Sequence, residues 1–249
     1  MRILCTNDDG YLAGGLQVLA SAAHELGSVT IVAPDREQSA TSHSLTLHRP
    51  LRTRRATDGT LIVDGTPTDC VIVAVNEVFD QRPDFCLSGV NHGSNMGEDV
   101  LYSGTVAAAM EATVIGVPAI AVSYTGDAYE DIEAWEDTLR GLLRGIFRRD
   151  SFPEDTLLNI NLPGIPPDEV RGVKVTSLGR RRYSDSLTRD TDPSGREYFW
   201  IGGGISSWSG APDSDFRAVE DGYISVTPLH LDLTNYDLLE EIRGWTLEL

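Results

Sequence analysis

A chain of 249 residues with 41% hydrophobic content is long enough to bury a sizeable core as one domain, or as one domain with a smaller appendage. A formal net charge of −18 excludes a basic groove for a nucleic-acid polymer, and no apolar run approaches the roughly 20 residues that span a bilayer. Cys5, Cys70 and Cys86 are odd in number and set in apolar surroundings, so they read as reduced core thiols of a cytoplasmic protein rather than a disulfide framework or a zinc site. The first residues turn polar by Thr6, too early for a secretory apolar region.

Ile3-Leu4-Cys5 is an apolar run cut off by Asn7-Asp8-Asp9-Gly10, the pattern of a buried strand ending in a tight turn. Leu16, Leu19, Ala20, Ala23 and Leu26 fall on one helical face with Gly27 as the stop, and Val29–Ala33 is the next buried strand. Strand, helix and strand in this order predict a βαβ unit, hence a parallel sheet with a right-handed crossover. A hydroxyl-rich loop, Asp35–Ser44, follows. Leu45–Leu47, Leu51–Arg55 and Leu61–Val63 read as strand-like runs, the last two joined by an Asp58-Gly59 hairpin turn. Thr66 is the expected cap of a helix through Phe79, with Pro67 in its first turn and Asp69 at its third position. Phe85–Ser88 is a buried strand entering a glycine-rich loop, Gly89–Gly97, and Ser103-Gly104-Thr105 opens a helix over Val106–Val114. Ala119–Ser123 is a strand, Asp131–Arg149 an amphipathic helix, and Leu157–Leu162 the expected last central strand. Asn159 and Asn161 share one face of it, as structural groups or close to the site.

Beyond Pro163–Pro167 the composition shifts. Val173–Ser177, Tyr198–Ile201 and Tyr223–Thr227 are short strand-like runs, and Tyr236–Arg243 is a closing helix. Gly179–Tyr183 and Asp192–Gly195 look like projecting hairpin material, often an oligomer contact. The Arg180–Arg182 cluster is expected to form salt bridges across subunits or to meet substrate from a neighbouring chain. The expected organisation is one α/β domain, with a core over about residues 1–165 and a hairpin and oligomerisation region over about 173–249.

In an open α/β sheet ligands bind at the carboxyl ends of the strands, where three loops should converge. The first carries Asp8 and Asp9, adjacent carboxylates that repel unless a cation, a shared proton or water compensates. They read either as half of a hard-cation site or as a solvated Asx turn. The second brings Ser39, Thr41, Ser42, His43 and Ser44. The third brings Asn91, His92 and Asn95, with amide oxygens for a metal or amide donors for an oxyanion. Ser103-Gly104-Thr105 sits where free N–H groups and the helix dipole bind phosphate, although an ordinary cap uses the same residues. A cation site beside a phosphate cradle makes a phosphate-hydrolysis site.

Asn7-Asp8-Asp9-Gly10, Ala33-Pro34-Asp35-Arg36 with Ser39, Ser44–Leu47, Gly65–Cys70, Ser88–Asn91 through Asn95, and Gly97–Glu111 together closely resemble the SurE family of survival proteins. Asp192-Pro193 with Gly195, Tyr198–Trp200 and Gly222–Leu229 resemble its later segments, so the likeness runs essentially the full length. The resemblance implies a Rossmann-like, mainly parallel α/β sheet flanked by helices, and a metal-dependent 5′/3′-nucleotidase that hydrolyses nucleoside monophosphates to nucleoside and phosphate with a metal-activated water. The family's metal ligands fall on Asp8, Asp9, Ser39 and Asn91, its phosphate-binding groups on Asn95, Ser103, Gly104 and Thr105, with Asn7 beside them. Asp8 and Asp9 are the expected catalytic pair, with Asp9 as the candidate to take the water's proton. One divalent ion is implied, Mg²⁺ or Mn²⁺, or Ca²⁺ in crystals, in a homodimer or homotetramer. Val90, His92, Ser94 and Asp213-Ser214 depart from the family pattern and touch none of these positions.

The non-catalytic alternative is a phospho-receiver-like or nucleotide-binding Rossmann module. A receiver needs a lysine after a later strand, and the only lysine is Lys174, in the wrong region; Gly-x-Gly-x-x-Gly is missing after the first strand.

Overall fold

A computed structural model describes residues 1–149, 151–183, 187–201 and 206–245. The chain opens with β1 (Arg2–Thr6), α1 (Gly14–His24) and β2 (Ser28–Pro34), and β1 and β2 pair in parallel, Ile3 against Val29 and Cys5 against Ile31. Next, β3 (Thr53–Arg55) and β4 (Leu61–Val63) form the expected hairpin around Asp58-Gly59, and β4 joins β2 in parallel. Leu45–Leu47 is not a strand. There the Thr46 N–H goes to the Asp69 carboxylate at 3.0 Å instead of to a neighbouring strand.

In α2 (Pro67–Val73) the Thr66 hydroxyl accepts the Asp69 N–H while the Asp69 carboxylate accepts the Thr66 N–H, so both orphan donors of the first turn are satisfied. The helix loosens into a π turn over Ala74–Val78 before Phe79. β5 (Phe85–His92) runs four residues past its apolar stretch and into the glycine-rich loop, with its register against the next strand shifting between Ser88 and Asn91. Any Cβ at Gly89 would strike the Val122 carbonyl, so only glycine lets the two strands lie this close. After α3 (Gly104–Val114) and β6 (Ala119–Tyr124), the amphipathic stretch divides into a 3₁₀ segment at Tyr129–Trp135 and α4 (Glu136–Phe147).

β7 (Thr156–Leu162) is not the last strand of the sheet. The chain continues through β8 (Val173–Val175), β9 (Arg180–Tyr183), β10 (Leu187–Thr191), β11 (Glu197–Ile201), β12 (Ser206–Ser209), α5 (Asp215–Glu220), β13 (Ile224–His230) and α6 (Tyr236–Arg243). β13 lies antiparallel on β7 and carries β8 at its outer side, completing a nine-stranded, mostly parallel sheet in the order β3-β4-β2-β1-β5-β6-β7-β13-β8. β9 pairs with β12, and β10 with β11 around the Asp192–Gly195 turn, as two ribbons outside the sheet.

Helices cover both faces. Leu16 and Leu19 from α1, Trp135 from the 3₁₀ segment, and Leu139 and Leu143 from α4 pack onto Ile3, Leu87, Ile120 and Ile160. Cys70, Val71, Val106 and Ala109 pack from α2 and α3 onto Leu4, Cys86 and Leu157 on the other side. The order of the parallel strands reverses at β1, which has β2 on one side and β5 on the other. The carboxyl ends of β1 and β5 therefore form the crevice where an open α/β sheet binds ligands.

Candidate functional site

At the end of β1 the Asn7 amide donates to the Gly10 carbonyl at 2.9 Å, folding the turn that aims the next two carboxylates. The Asn7 Oδ1 is buried and has no hydrogen-bond partner among the described residues. Asp8 is buried, and its Oδ1 accepts the Thr105 hydroxyl from the first turn of α3. A Cβ on Gly104 would lie 2.8 Å from the Asp8 Cβ and 2.9 Å from its Oδ2, so glycine allows α3 to start against this carboxylate. Asp9 accepts the backbone N–H of His92 at 3.1 Å, joining the end of β1 to the end of β5.

Burial leaves both carboxylates harder to ionise. Desolvation raises Asp8, against the opposing pull of the Thr105 hydroxyl and N–H donors. Asp9 is pushed up to about 6 by desolvation first and by the Asp8 charge second, with the His92 N–H acting against them.

In the second loop the Ser39 hydroxyl donates to Glu37 at 2.6 Å, and the Gln38 N–H donates to the Asp8 carbonyl at 2.7 Å. His43 turns to Glu111 on α3 at 2.7 Å, and Ser42 donates its N–H to the Tyr102 carbonyl. In the third loop the Asn91 amide donates to the Gly93 carbonyl at 2.8 Å, which leaves its carbonyl oxygen as the atom able to meet a cation. Asn95 is held from beneath: its N–H donates to Asn161 Oδ1, its side-chain amide donates to Ser123, and its carbonyl accepts from Asn159 and Asn161. Ser103 caps α3, accepting the Val106 N–H at 3.0 Å.

These elements enclose one cavity of about 730 Å³, whose wall includes Asp8, Ser39, Asn91, Asn95 and Ser103. Asn7 and Thr105 are fully buried, and the Thr105 hydroxyl serves Asp8. His92 lines the cavity, whereas the His43 ring is committed to Glu111. The Arg181 guanidinium pairs with Asp99 of the same chain and lies 5.0 Å from the Trp208 ring, so this member of the arginine cluster has an intrachain role. Sequence reasoning put Asn159 and Asn161 on one face, as structural groups or close to the site, but did not foresee the cradle they form for Asn95. Two asparagines in alternation within an apolar strand were the available signal, because a buried amide must find partners. It also missed Asp215, whose buried carboxylate accepts the N–H groups of Gly97, Gly179 and Phe216, each at 2.8 Å.

The donor set fits a hard divalent cation. Among the described residues no group of three or more His, Cys, Asp or Glu side chains could hold a metal; the oxygens available to a cation here are those of two carboxylates and the neutral groups of Ser39 and Asn91. Oxygen-only ligation of that kind suits Mg²⁺, Mn²⁺ or Ca²⁺ and not zinc. Two adjacent carboxylates that burial pushes toward the neutral form are what a bound positive charge would relieve.

A family model described as survival protein SurE matches residues 3–185. The chain is 60% identical to the 5′-nucleotidase SurE of Gemmatimonas aurantiaca over 252 residues, covering 100% of both. It is 47% identical to the 5′-nucleotidase SurE of Methylococcus capsulatus, covering 98% of this chain and 97% of the relative. A crystal structure of the SurE protein from Aquifex aeolicus superposes with a TM-score of 0.86 at 39% identity, covering 98% of each chain.

Proposed function

The chain belongs to the SurE family, and from that premise we propose that the cavity at the ends of β1 and β5 is a nucleotidase site in which Asp8, Asp9, Ser39 and Asn91 hold one divalent cation. The protein is a phosphomonoesterase that hydrolyses nucleoside monophosphates, as its 5′-nucleotidase relatives are named. The observation that carries the site assignment is the Thr105–Asp8 contact, which sets one carboxylate of the acidic pair against the N-terminus of α3, so that cation and phosphate ligands lie side by side. When bound, a divalent cation supplies Lewis-acid polarisation of the phosphoryl group and lowers the pKa of a water. Asp8 and Asp9 balance its charge. Asp9, joined to β5 through His92, takes the proton of the attacking water. Asn95, fixed by Asn159 and Asn161, the Ser103 hydroxyl and the Gly104 N–H hold the non-bridging oxygens where charge accumulates. The phosphorus–ester oxygen bond breaks as the new oxygen–phosphorus bond forms, and the proton taken by Asp9 passes to the leaving oxygen, releasing nucleoside and phosphate.

The receiver-like alternative is not favoured. Lys174 lies on β8, at the far edge of the sheet, with its ammonium 3.9 Å from the Tyr223 ring centroid.

We also propose a homodimer or homotetramer built from a unit whose core is about residues 1–165 and whose later part carries the assembly surface. Leu187, Phe199 and Trp200 on the β10–β11 ribbon are exposed, and α6 buries no residue although Tyr236, Leu238 and Ile242 are apolar. A cytoplasmic setting is supported by Cys5, Cys70 and Cys86, which are all free thiols. No helix among the described residues is long and apolar enough to cross a membrane.

The test is phosphate release from a panel of nucleoside monophosphates, with Mg²⁺, Mn²⁺ or chelator, for wild type and Asp9→Asn. Metal-dependent release that falls at least a hundredfold in Asp9→Asn is expected; equal rates for both proteins would overturn the site. Light scattering is expected to give a mass of two or four chains.

A further inference from the structure

Two large side chains on the cavity wall have no place in holding a cation or a phosphate. Tyr102, the residue before the α3 cap, is 61% exposed, and Ile201, the last residue of β11, is 88% exposed. Ile201 lies on the cavity wall, and the β9–β12 ribbon is fastened to the third loop. Asp215 joins Gly97 to Gly179, the Arg181 N–H donates to Glu98 at 2.6 Å, and Trp208 stacks on Phe216 with centroids 5.4 Å apart. Of the polar side chains on this wall, Asn91 and Asn95 are assigned to the cation and phosphate end, and Asp99 pairs with Arg181.

We infer that Tyr102 and Ile201 form the wall that receives the nucleobase, the ring face of Tyr102 stacking on it and Ile201 covering it. The inference rests on the nucleotidase reading above. A planar base brings one apolar face for each of these side chains, while its phosphate lies at Ser103, one residue from Tyr102. Every base offers such a face, so discrimination among bases is modest and follows stacking area, purine above pyrimidine. A phosphomonoester with a sugar and no base forfeits the contact.

The test is steady-state kinetics with adenosine 5′-monophosphate, uridine 5′-monophosphate and ribose 5-phosphate on the metal-supplied full chain, for wild type, Tyr102→Ala, Tyr102→Phe and Ile201→Ala. Wild type is expected to rank adenosine above uridine above ribose 5-phosphate in kcat/KM. Tyr102→Ala should lower the two nucleotides about tenfold through KM, collapsing their ratio to ribose 5-phosphate. Ile201→Ala should collapse it by about threefold, and Tyr102→Phe should keep it. Equal losses on all three substrates, an unchanged ratio, or a Tyr102→Phe variant as poor as Tyr102→Ala overturns the base wall. Failure of wild type to hydrolyse any of the three overturns the nucleotidase reading, and the wall with it.

Discussion

The Thr105 hydroxyl donates to the Asp8 carboxylate across 97 residues of chain, and both side chains are buried. This bond makes the orientation of one acid depend on where a helix begins. Thr105→Val keeps the volume and removes the donor, leaving a buried carboxylate oxygen without that partner. A loss of about 1–3 kcal/mol in unfolding free energy is expected, together with a fall in kcat of at least tenfold. Thr105→Ser should recover most of both. Thermal unfolding and phosphate release measure the two effects, and a Val variant with wild-type turnover would refute the coupling.

Gly104→Ala places a Cβ between backbone and carboxylate, where either the start of α3 or Asp8 must move. The expected cost is about 1–3 kcal/mol, with activity falling more steeply than stability because the displaced group is Asp8 itself. Gly14→Ala at the start of α1 is the matched control, since nothing lies within 4 Å of its Cβ. It should be neutral or slightly stabilising in denaturant titrations.

Asp215→Asn exchanges one carboxylate oxygen for an amide that cannot accept the Gly97 or Gly179 N–H. The expected result is a folded protein destabilised by about 1–3 kcal/mol, with the third loop released from the ribbon foot. Unlike the Tyr102 variants, it should weaken ribose 5-phosphate and nucleotides alike. A loss confined to nucleotides would show that Asp215 serves only the ribbon.

Burial pushes the Cys86 thiol up to about 12 and raises Cys5 and Cys70 as well, so each thiol holds its proton at neutral pH. A thiol-reactive chromophore should label none of the three in the native protein at pH 8 and all three in guanidinium. The linkage has a definite sign. Because the folded pKa values lie above the unfolded value of about 8.5, their contribution to stability is full below that pH and is lost as pH rises from there toward the folded values. Urea midpoints should fall between pH 8 and pH 10, and a serine replacement at Cys86 should flatten that part of the fall assigned to it.

What the sequence made legible was local. The Thr66–Asp69 capping box, the Asp58-Gly59 hairpin and the Tyr236–Arg243 helix each announce themselves within a few residues, and each forms. Parallel order was legible too, because a strand–helix–strand run admits one handedness. The placement of β13 against β7 was not, since Ser225 meets Asn161 through a pairing that no short window encodes. The same holds inside the site. Side-chain type pointed to Asp8, Asn91 and Asn95 as ligand groups, yet the partners that aim them, Thr105, Gly93 and the Asn159–Asn161 pair, come largely from distant segments. Leu45–Leu47 failed for the complementary reason, a strand-like triplet whose backbone bond goes to a side chain.

The fastening of the ribbon foot by Asp215 has a consequence for how such a protein diversifies. Every group proposed to hold cation or phosphate falls between Asn7 and Thr105, on the sheet and its first helices, whereas Ile201 comes from a segment that adds nothing to the sheet. Recognition is thus written in two places, Tyr102 beside the phosphate groups and Ile201 on the ribbon. A ribbon exchanged between relatives at its fastened foot would change the cover over the leaving group and leave Tyr102 and the phosphate end as they were.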